Sequence, residues 1–165
     1  MLLWFAGCTV VIVWSVFRDT AIDYRLLLAG SIVPDVVDVA FGGPAAAHAV
    51  TFSIVLLVGV MLTTQRRRTL RRRLLALPIA TFCHLVLDVM WTRTEAFWWP
   101  LFGGVSFGHG GLPSFDRPLP VLVVQEAAGA IALVWAYRRF RLGEPERLTL
   151  FARTGHLGRD LRVVG

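Results

Sequence analysis

The segment LPVLVVQEAAGAIALVWAY, residues 119–137, decides the fold class of this 165-residue chain. It is apolar almost throughout, and a helix of about 20 such residues crosses the hydrocarbon core of a bilayer. Four further apolar stretches precede it, at residues 2–17, 26–42, 46–64 and 74–91. With 56% hydrophobic residues and a mean hydropathy of +0.64, the chain is more apolar than ordinary soluble domains. The pattern predicts an all-α, polytopic transmembrane helix bundle of about five spans.

The positive charges predict how this bundle is oriented. All 17 basic residues are arginines, and the net charge is +6. If the spans alternate in direction, thirteen arginines share one face: Arg18, Arg25, six between residues 66 and 73, and five between 138 and 153. The opposite face then holds Arg93 and Arg117. Because basic loops stay in the cytoplasm, we expect a multi-pass protein of the cell (inner) membrane with its N-terminus outside and its C-terminus cytoplasmic.

The length of the chain predicts one bundle domain, residues 1–142, followed by a polar cytoplasmic tail, residues 143–165. The arginine loops are expected to contact the lipid bilayer and its anionic head groups, and nucleic acid is not an expected partner. The connection 92–118 is rich in glycine, proline and aromatic residues, and His109 within it is expected to be an ordinary loop residue.

Five ionisable side chains interrupt the apolar stretches: Asp35, Asp38, His48, His84 and Asp88. A buried aspartate at the centre of a span costs roughly 2.5 to 3.5 kcal/mol, so these residues are not expected to face lipid. Asp35 and Asp38 are spaced i, i+3, and His84 and Asp88 are spaced i, i+4. Each of these two pairs therefore lies on one helix face. Counting the helical rise from the arginine-rich end places all five residues in the outer half of the bilayer.

Imidazole nitrogens and carboxylate oxygens that meet at one depth suit a divalent metal such as Zn²⁺, Mn²⁺ or Fe²⁺. Glu126 lies at a similar depth in the last span, where it is predicted to act as a general base or to orient a histidine ligand. Two other interpretations fit the same residues: a structural hydrogen-bonded cluster and a proton or ion pathway.

Three short motifs add a family resemblance. GSIVPDVVD (residues 30–38), AHA (47–49) and HLVLD (84–88), the last followed by WP at 99–100, occur in this order. The set resembles the prokaryotic membrane-bound metal-dependent hydrolases of the YdjM type over roughly residues 26–105. The resemblance implies a polytopic inner-membrane protein in which Asp35, Asp38, His48, His84 and Asp88 are metal ligands.

The sequence therefore predicts an integral-membrane metal-dependent hydrolase that acts on a membrane-associated or extracytoplasmic ester or phosphoester. The first rival hypothesis is a small transporter or proton-coupled membrane protein, in which the same acids titrate during transport. The second is a scaffold that the metal stabilises without any catalysis.

Overall fold

A computed structural model of the protein describes residues 1–40, 46–101 and 117–161. These ranges contain helices and no strand, so the predicted all-α fold class is confirmed. The helices are α1 (Leu2–Phe17), α2 (Tyr24–Gly30), α3 (Val33–Ala40), α4 (Val50–Thr63), α5 (Arg68–Leu74), α6 (Ala76–Leu87), α7 (Thr94–Phe97), α8 (Leu119–Arg139) and α9 (Pro145–Thr154). Short 3₁₀ turns cover Ala46–His48, Met90–Thr92 and Arg159–Leu161.

The longest apolar helix is α8, and within the described ranges it alone is long and apolar enough to cross a membrane. It begins where the sequence predicts and continues to Arg139. Helix α1 covers the predicted stretch 2–17, but like α4 it is shorter than a full span. The five predicted spans therefore correspond to one long helix and several shorter ones.

The predicted span 26–42 is divided into α2 and α3 by a turn at Ser31 and Ile32. Pro34 lies in the first turn of α3, where its missing N–H removes no hydrogen bond within that helix. A continuous helix would need that N–H to bond the Gly30 carbonyl, so the chain divides ahead of the proline. Residues 41 and 42 of the predicted span lie outside the described residues.

The predicted span 74–91 is likewise shorter than expected. Pro78 lies in the first turn of α6, where its missing N–H removes no hydrogen bond within that helix. The helix ends at Leu87 because Asp88 is its C-terminal cap and Val89 adopts a left-handed conformation with φ 60°. Asp88 therefore lies at the end of α6 and not inside a longer span.

Contacts between helices fix their directions. Helix α4 is antiparallel to α6, because Ser53 near the start of α4 contacts Thr81 in α6, whereas Thr64 after the end of α4 contacts Arg71 in α5, which precedes α6. Helix α1 is parallel to α8, because Glu126 contacts Leu3, and the Trp14 and Phe140 rings lie 5.0 Å apart.

Helix α2 runs in the same direction as α6, since Asp23 pairs with Arg73 and the Ser31 carbonyl contacts His84. Phe5 near the start of α1 contacts His84 near the end of α6, and Tyr24 at the start of α2 contacts Phe140 after the end of α8, so α1, α2, α4, α6 and α8 alternate in direction along the chain.

Large apolar side chains remain exposed on α1, α4 and α8. On α4 they include Val55 and Leu62, which are 65% and 61% exposed, and on α8 Val124 and Ile131, which are 67% and 70% exposed. Soluble monomers rarely expose contiguous apolar faces on this scale. Large exposed apolar patches are typical of membrane or protein contact surfaces.

The segment predicted to be a polar tail folds back onto the helices. The Gly155 carbonyl accepts a hydrogen bond from Tyr24 N–H, and Leu157 N–H donates to the Thr20 carbonyl, each at 2.9 Å. Gly155 has φ 72°, and a Cβ at this position would overlap the carboxylate of Asp23. Leu157 and Leu161 join the core. The end of the chain is therefore packed against the connection between α1 and α2.

Asp23 is fully buried at this junction and forms the N-cap of α2. Its carboxylate accepts hydrogen bonds from Arg25 and Arg73, with N···O distances of 3.0 and 3.1 Å. Burial alone raises the pKa of Asp23, but the bonds from these arginines outweigh it and hold the pKa below its usual value. The ionised carboxylate is therefore the form that the fold stabilises.

We expect Asp23→Asn to lower the free energy of unfolding by about 1.5–3 kcal/mol at neutral pH, because the hydrogen bonds from Arg25 and Arg73 lose their anionic acceptor while the cap remains. A lowered native pKa stabilises the fold above the unfolded-chain value of about 4, and this contribution disappears as the pH falls through the native value. The gap between wild type and variant should therefore shrink in acid.

Denaturant titration in mixed micelles at several pH values measures this difference. Asp19→Asn is the matched control, because Asp19 pairs with Arg72, whose side chain is 51% exposed, and such pairs contribute at most about 1 kcal/mol. If Asp23→Asn lowers the free energy of unfolding no more than the control does, the stabilising role of the buried Asp23 carboxylate is contradicted.

Candidate metal centre

The structure brings together all five ionisable residues singled out in the apolar stretches. Asp35 and Asp38 come from α3, His48 from the 3₁₀ turn before α4, and His84 and Asp88 from the end of α6. All five are buried, and both histidines are inaccessible to solvent. Separate segments therefore supply one buried polar cluster.

Three atoms of this cluster form a nearly equilateral triangle. His48 Nε2 lies 3.4 Å from Asp35 Oδ1 and 3.4 Å from His84 Nε2, and the third side, His84 Nε2 to Asp35 Oδ1, is 3.5 Å. In a tetrahedral site with zinc–ligand bonds of 2.0–2.1 Å, neighbouring ligand atoms are about 3.3–3.4 Å apart. The triangle therefore fits three ligands of one such ion.

The hydrogen bonds on the far side of each imidazole set the tautomers. His84 Nδ1 lies 2.7 Å from the Ser31 carbonyl oxygen, which can only accept, so His84 Nδ1 donates. His48 Nδ1 lies 2.5 Å from Asp38 Oδ2 and donates to that carboxylate. In the neutral rings both Nε2 atoms then carry lone pairs that face each other. Such an arrangement is unfavourable unless a cation or a proton lies between them.

Asp35 adds a negative oxygen to these two lone pairs. Its Oδ1 is buried and has no hydrogen-bond partner in the described parts of the chain. Buried polar atoms are nearly always satisfied, so a bound ion or water is the expected partner of this oxygen. The donor set, two neutral imidazoles and one carboxylate, is one that zinc enzymes use.

Asp38 takes a different position from the other carboxylates. It approaches His48 from the Nδ1 side, opposite the triangle, and its Oδ1 accepts from Ala47 N–H at 3.3 Å. This is the arrangement in which a carboxylate orients a histidine ligand and raises its basicity. The sequence hypothesis grouped Asp38 with the ligands, and in the structure its carboxylate contacts the Nδ1 atom of His48, on the side away from the triangle.

Asp88 lies at the rim of the triangle. Its Oδ2 is 3.9 Å from His48 Nε2, while its Oδ1 accepts a hydrogen bond of 3.0 Å from Arg117. Arg117 also donates to the Asp88 main-chain carbonyl. Sequence reasoning counted Arg117 only as an outer-face charge and missed this pairing. Its position two residues before α8, on the face nearest to the predicted acids, is the signal that could have suggested it.

Sequence reasoning also missed two further neighbours of His84. The Phe5 ring is fully buried, with its centroid 3.9 Å from that of the imidazole. Ser31 contributes only its main-chain carbonyl. Neither an apolar side chain within an apolar stretch nor a peptide oxygen leaves a distinguishing mark in the sequence.

Glu126, the predicted general base, is engaged elsewhere. Its Oε2 accepts from Leu3 N–H at 3.1 Å, and its Oε1 lies 3.5 Å from the amino group of Met1. These contacts place the carboxylate at the start of α1, where it compensates the positive end of that helix. His109, the predicted loop residue, lies outside the described residues.

Comparison of the chain with protein-family models, with curated proteins and with solved structures found no match.

Proposed function

We propose that this chain is a multi-pass membrane protein with a buried divalent-metal site, and that it hydrolyses a membrane-associated or extracytoplasmic ester or phosphoester in a metal-dependent reaction. The observation that carries the proposal is the triangle of lone pairs on Asp35, His48 and His84, at separations of 3.4–3.5 Å. The motifs around these residues resemble those of the membrane-bound metal-dependent hydrolases, and this resemblance supports the same proposal.

In this proposal Asp35, His48 and His84 hold the ion, and the Asp38 carboxylate and the Ser31 carbonyl keep the imidazoles in the ligating tautomer. A divalent ion in such a site lowers the pKa of a bound water towards 7 and so supplies a nucleophile at neutral pH. We assign the proton-accepting role to Asp88, which lies at the rim of the triangle. Glu126 is the weaker candidate because its carboxylate contacts the start of α1.

The membrane placement rests on three observations. Helix α8 is long and apolar enough to cross a bilayer, and α1, α4 and α8 expose large apolar side chains. The alternating helix directions bring Arg25 and Arg73 to one end, where both contact Asp23. The metal centre lies at the other end. We propose five crossings by the segments that contain α1, α2 with α3, α4, α6 and α8, with the arginine-rich end in the cytoplasm.

Cysteine labelling tests this topology. In a background with Cys8 and Cys83 replaced by alanine, we expect Arg67→Cys to react with a membrane-impermeant maleimide only after the cells are opened. Glu95→Cys, beyond the other end of the bundle, should react in intact cells. The reverse pattern would overturn the orientation, and reaction of both positions in intact cells would exclude the five-span arrangement.

Hydrolysis is tested with the detergent-purified protein loaded separately with Zn²⁺, Mn²⁺ or Fe²⁺. We expect one of these ions to support cleavage within a panel of phosphomonoesters, phosphodiesters and carboxylic esters. Asp35→Asn should lower kcat/KM at least 100-fold, while Asp19→Asn at the opposite end should leave it unchanged. Activity that survives both metal removal and Asp35→Asn would contradict the proposal.

Asp38→Asn separates an orienting role from direct ligation. If Asp38 only orients His48, the variant should bind metal about 10–100-fold more weakly but still reach full occupancy at high metal concentration. Competition with a chelator of known affinity measures this change. An Asp38→Asn protein that stays metal-free at saturating concentration would make Asp38 a direct ligand instead.

A proton pathway is the second candidate function, and one observation favours it. Asp38, His48 and His84 form a continuous chain of polar contacts that ends at the Ser31 carbonyl. Reconstitution into liposomes with a pH-sensitive dye inside tests this candidate. Proton flux in metal-free wild type that His48→Gln abolishes would favour the pathway over the hydrolase.

A further inference from the structure

A cavity lined by basic side chains lies at the arginine-rich end of the bundle, away from the metal centre. Its volume is about 200 Å³, and its lining consists of Ala21, Arg68, Thr69, Arg72, Arg73 and His156. No acidic side chain is among these residues. Three guanidinium groups, a hydroxyl and an imidazole around one space form a donor-rich site that favours an anion.

The acidic neighbours of the cavity neutralise only part of this charge. Arg72 is paired with Asp19 and Arg73 with Asp23, at N···O distances of 2.5 and 3.1 Å. Arg68 has no ion pair within the described ranges. The lining therefore keeps a net positive charge, and Arg68 is the guanidinium available to an incoming ligand.

The folded tail supplies the remaining wall. His156 follows Gly155, which bonds to Tyr24, and precedes Leu157, which bonds to Thr20. The Nε2 atom of His156 is buried, and no hydrogen-bond partner for it occurs among the described residues. His156 therefore contributes part of the cavity wall, while its Nε2 atom is covered by the protein.

We propose that this cavity binds a phosphate group, and that the phosphate belongs to the head group of an anionic lipid. Arginine binds phosphate through two parallel N–H···O bonds, and the Thr69 hydroxyl can donate to a remaining oxygen. The cavity lies at the end of the bundle assigned to the cytoplasm, where the leaflet carries anionic lipids. The proposal depends on this membrane placement but not on the metal or on hydrolysis.

Titration of the detergent-purified full chain with short-chain phosphatidylglycerol, short-chain phosphatidylcholine and inorganic phosphate tests the site. We expect phosphatidylglycerol to bind more tightly than the other two ligands. Arg68→Gln should weaken this binding at least tenfold. The matched control is Arg67→Gln, which removes the same charge from the adjacent residue outside the cavity and should change the affinity less than twofold.

Thermal unfolding of each variant shows whether the tail still packs. The site is supported if Arg68→Gln loses affinity while its unfolding is unchanged. Inorganic phosphate that binds as tightly as phosphatidylglycerol would make free phosphate, not a lipid, the ligand and overturn that part of the proposal. Equal losses in Arg67→Gln and Arg68→Gln would show general charge attraction and overturn the site. Neither result would alter metal content, so a failure here is distinct from a failure of the hydrolase proposal.

Discussion

His84→Ala should leave the purified protein without bound metal, whereas the wild type should carry close to one equivalent of a divalent ion. The substitution removes one of three ligand atoms and leaves His48 Nε2 and Asp35 Oδ1 with too few partners to hold the ion. Elemental analysis after purification without chelators measures the content. Asp35→Asn should cause the same loss of metal. Because this substitution is nearly isosteric, a loss in both variants cannot be attributed to misfolding of His84→Ala.

Two controls make this result specific. His156→Ala removes a histidine at the opposite end of the bundle and should keep the full equivalent of metal. Added metal should also raise the unfolding temperature of the wild type, since a ligand at 100 times its Kd stabilises a fold by about 2.7 kcal/mol. Wild-type protein that is metal-free and not stabilised by added metal would contradict the proposal.

Gly129→Ala should destabilise the protein severely, because α1 and α8 are in backbone contact at this residue. A Cβ at position 129 would overlap the main chain of Leu3 and Trp4, and one at Gly7 would overlap the Gly129 carbonyl. Small residues permit this close approach of membrane helices. Separating the two backbones should cost at least about 3 kcal/mol, the upper range for overpacked cores.

Gly59→Ala is the matched control in another apolar helix. A Cβ at position 59 would meet no atom within 4 Å, so this variant should gain stability from the higher helix propensity of alanine, by about 1 kcal/mol. Denaturant titration in mixed micelles compares the two variants. Equal stability of Gly129→Ala and Gly59→Ala would contradict the close contact between α1 and α8.

The sequence predicted helices best where a continuous apolar run decides the structure by itself. The bounds of α1 agree with the predicted stretch, and α8 differs from it only at its end. The stretches at 26–42 and 74–91 were less predictable, because Pro34 and Pro78 both occupy first turns of helices. Whether a proline kinks a helix or begins a new one depends on the packing around it.

The residues of the site were also predictable where they contrast with their surroundings in the sequence. Charged and imidazole side chains stand out in an apolar stretch, so the five residues of the cluster could be selected from the sequence alone. The sequence could not show that Asp38 lies behind His48, since i, i+3 spacing places Asp35 and Asp38 on one face without telling which reaches the ion. The packed tail was also missed, because its order depends on a few contacts such as that between Gly155 and Asp23.

The most direct measurement of the central claim is X-ray absorption at the edge of the metal that co-purifies with the protein. We expect two imidazole nitrogens, from His48 and His84, and at least one oxygen, from Asp35, at about 2.0–2.2 Å. His84→Gln loaded with the same metal should lose one imidazole contribution. A shell of sulfur ligands at about 2.3 Å, or an unchanged imidazole count in His84→Gln, would contradict a metal centre built from Asp35, His48 and His84.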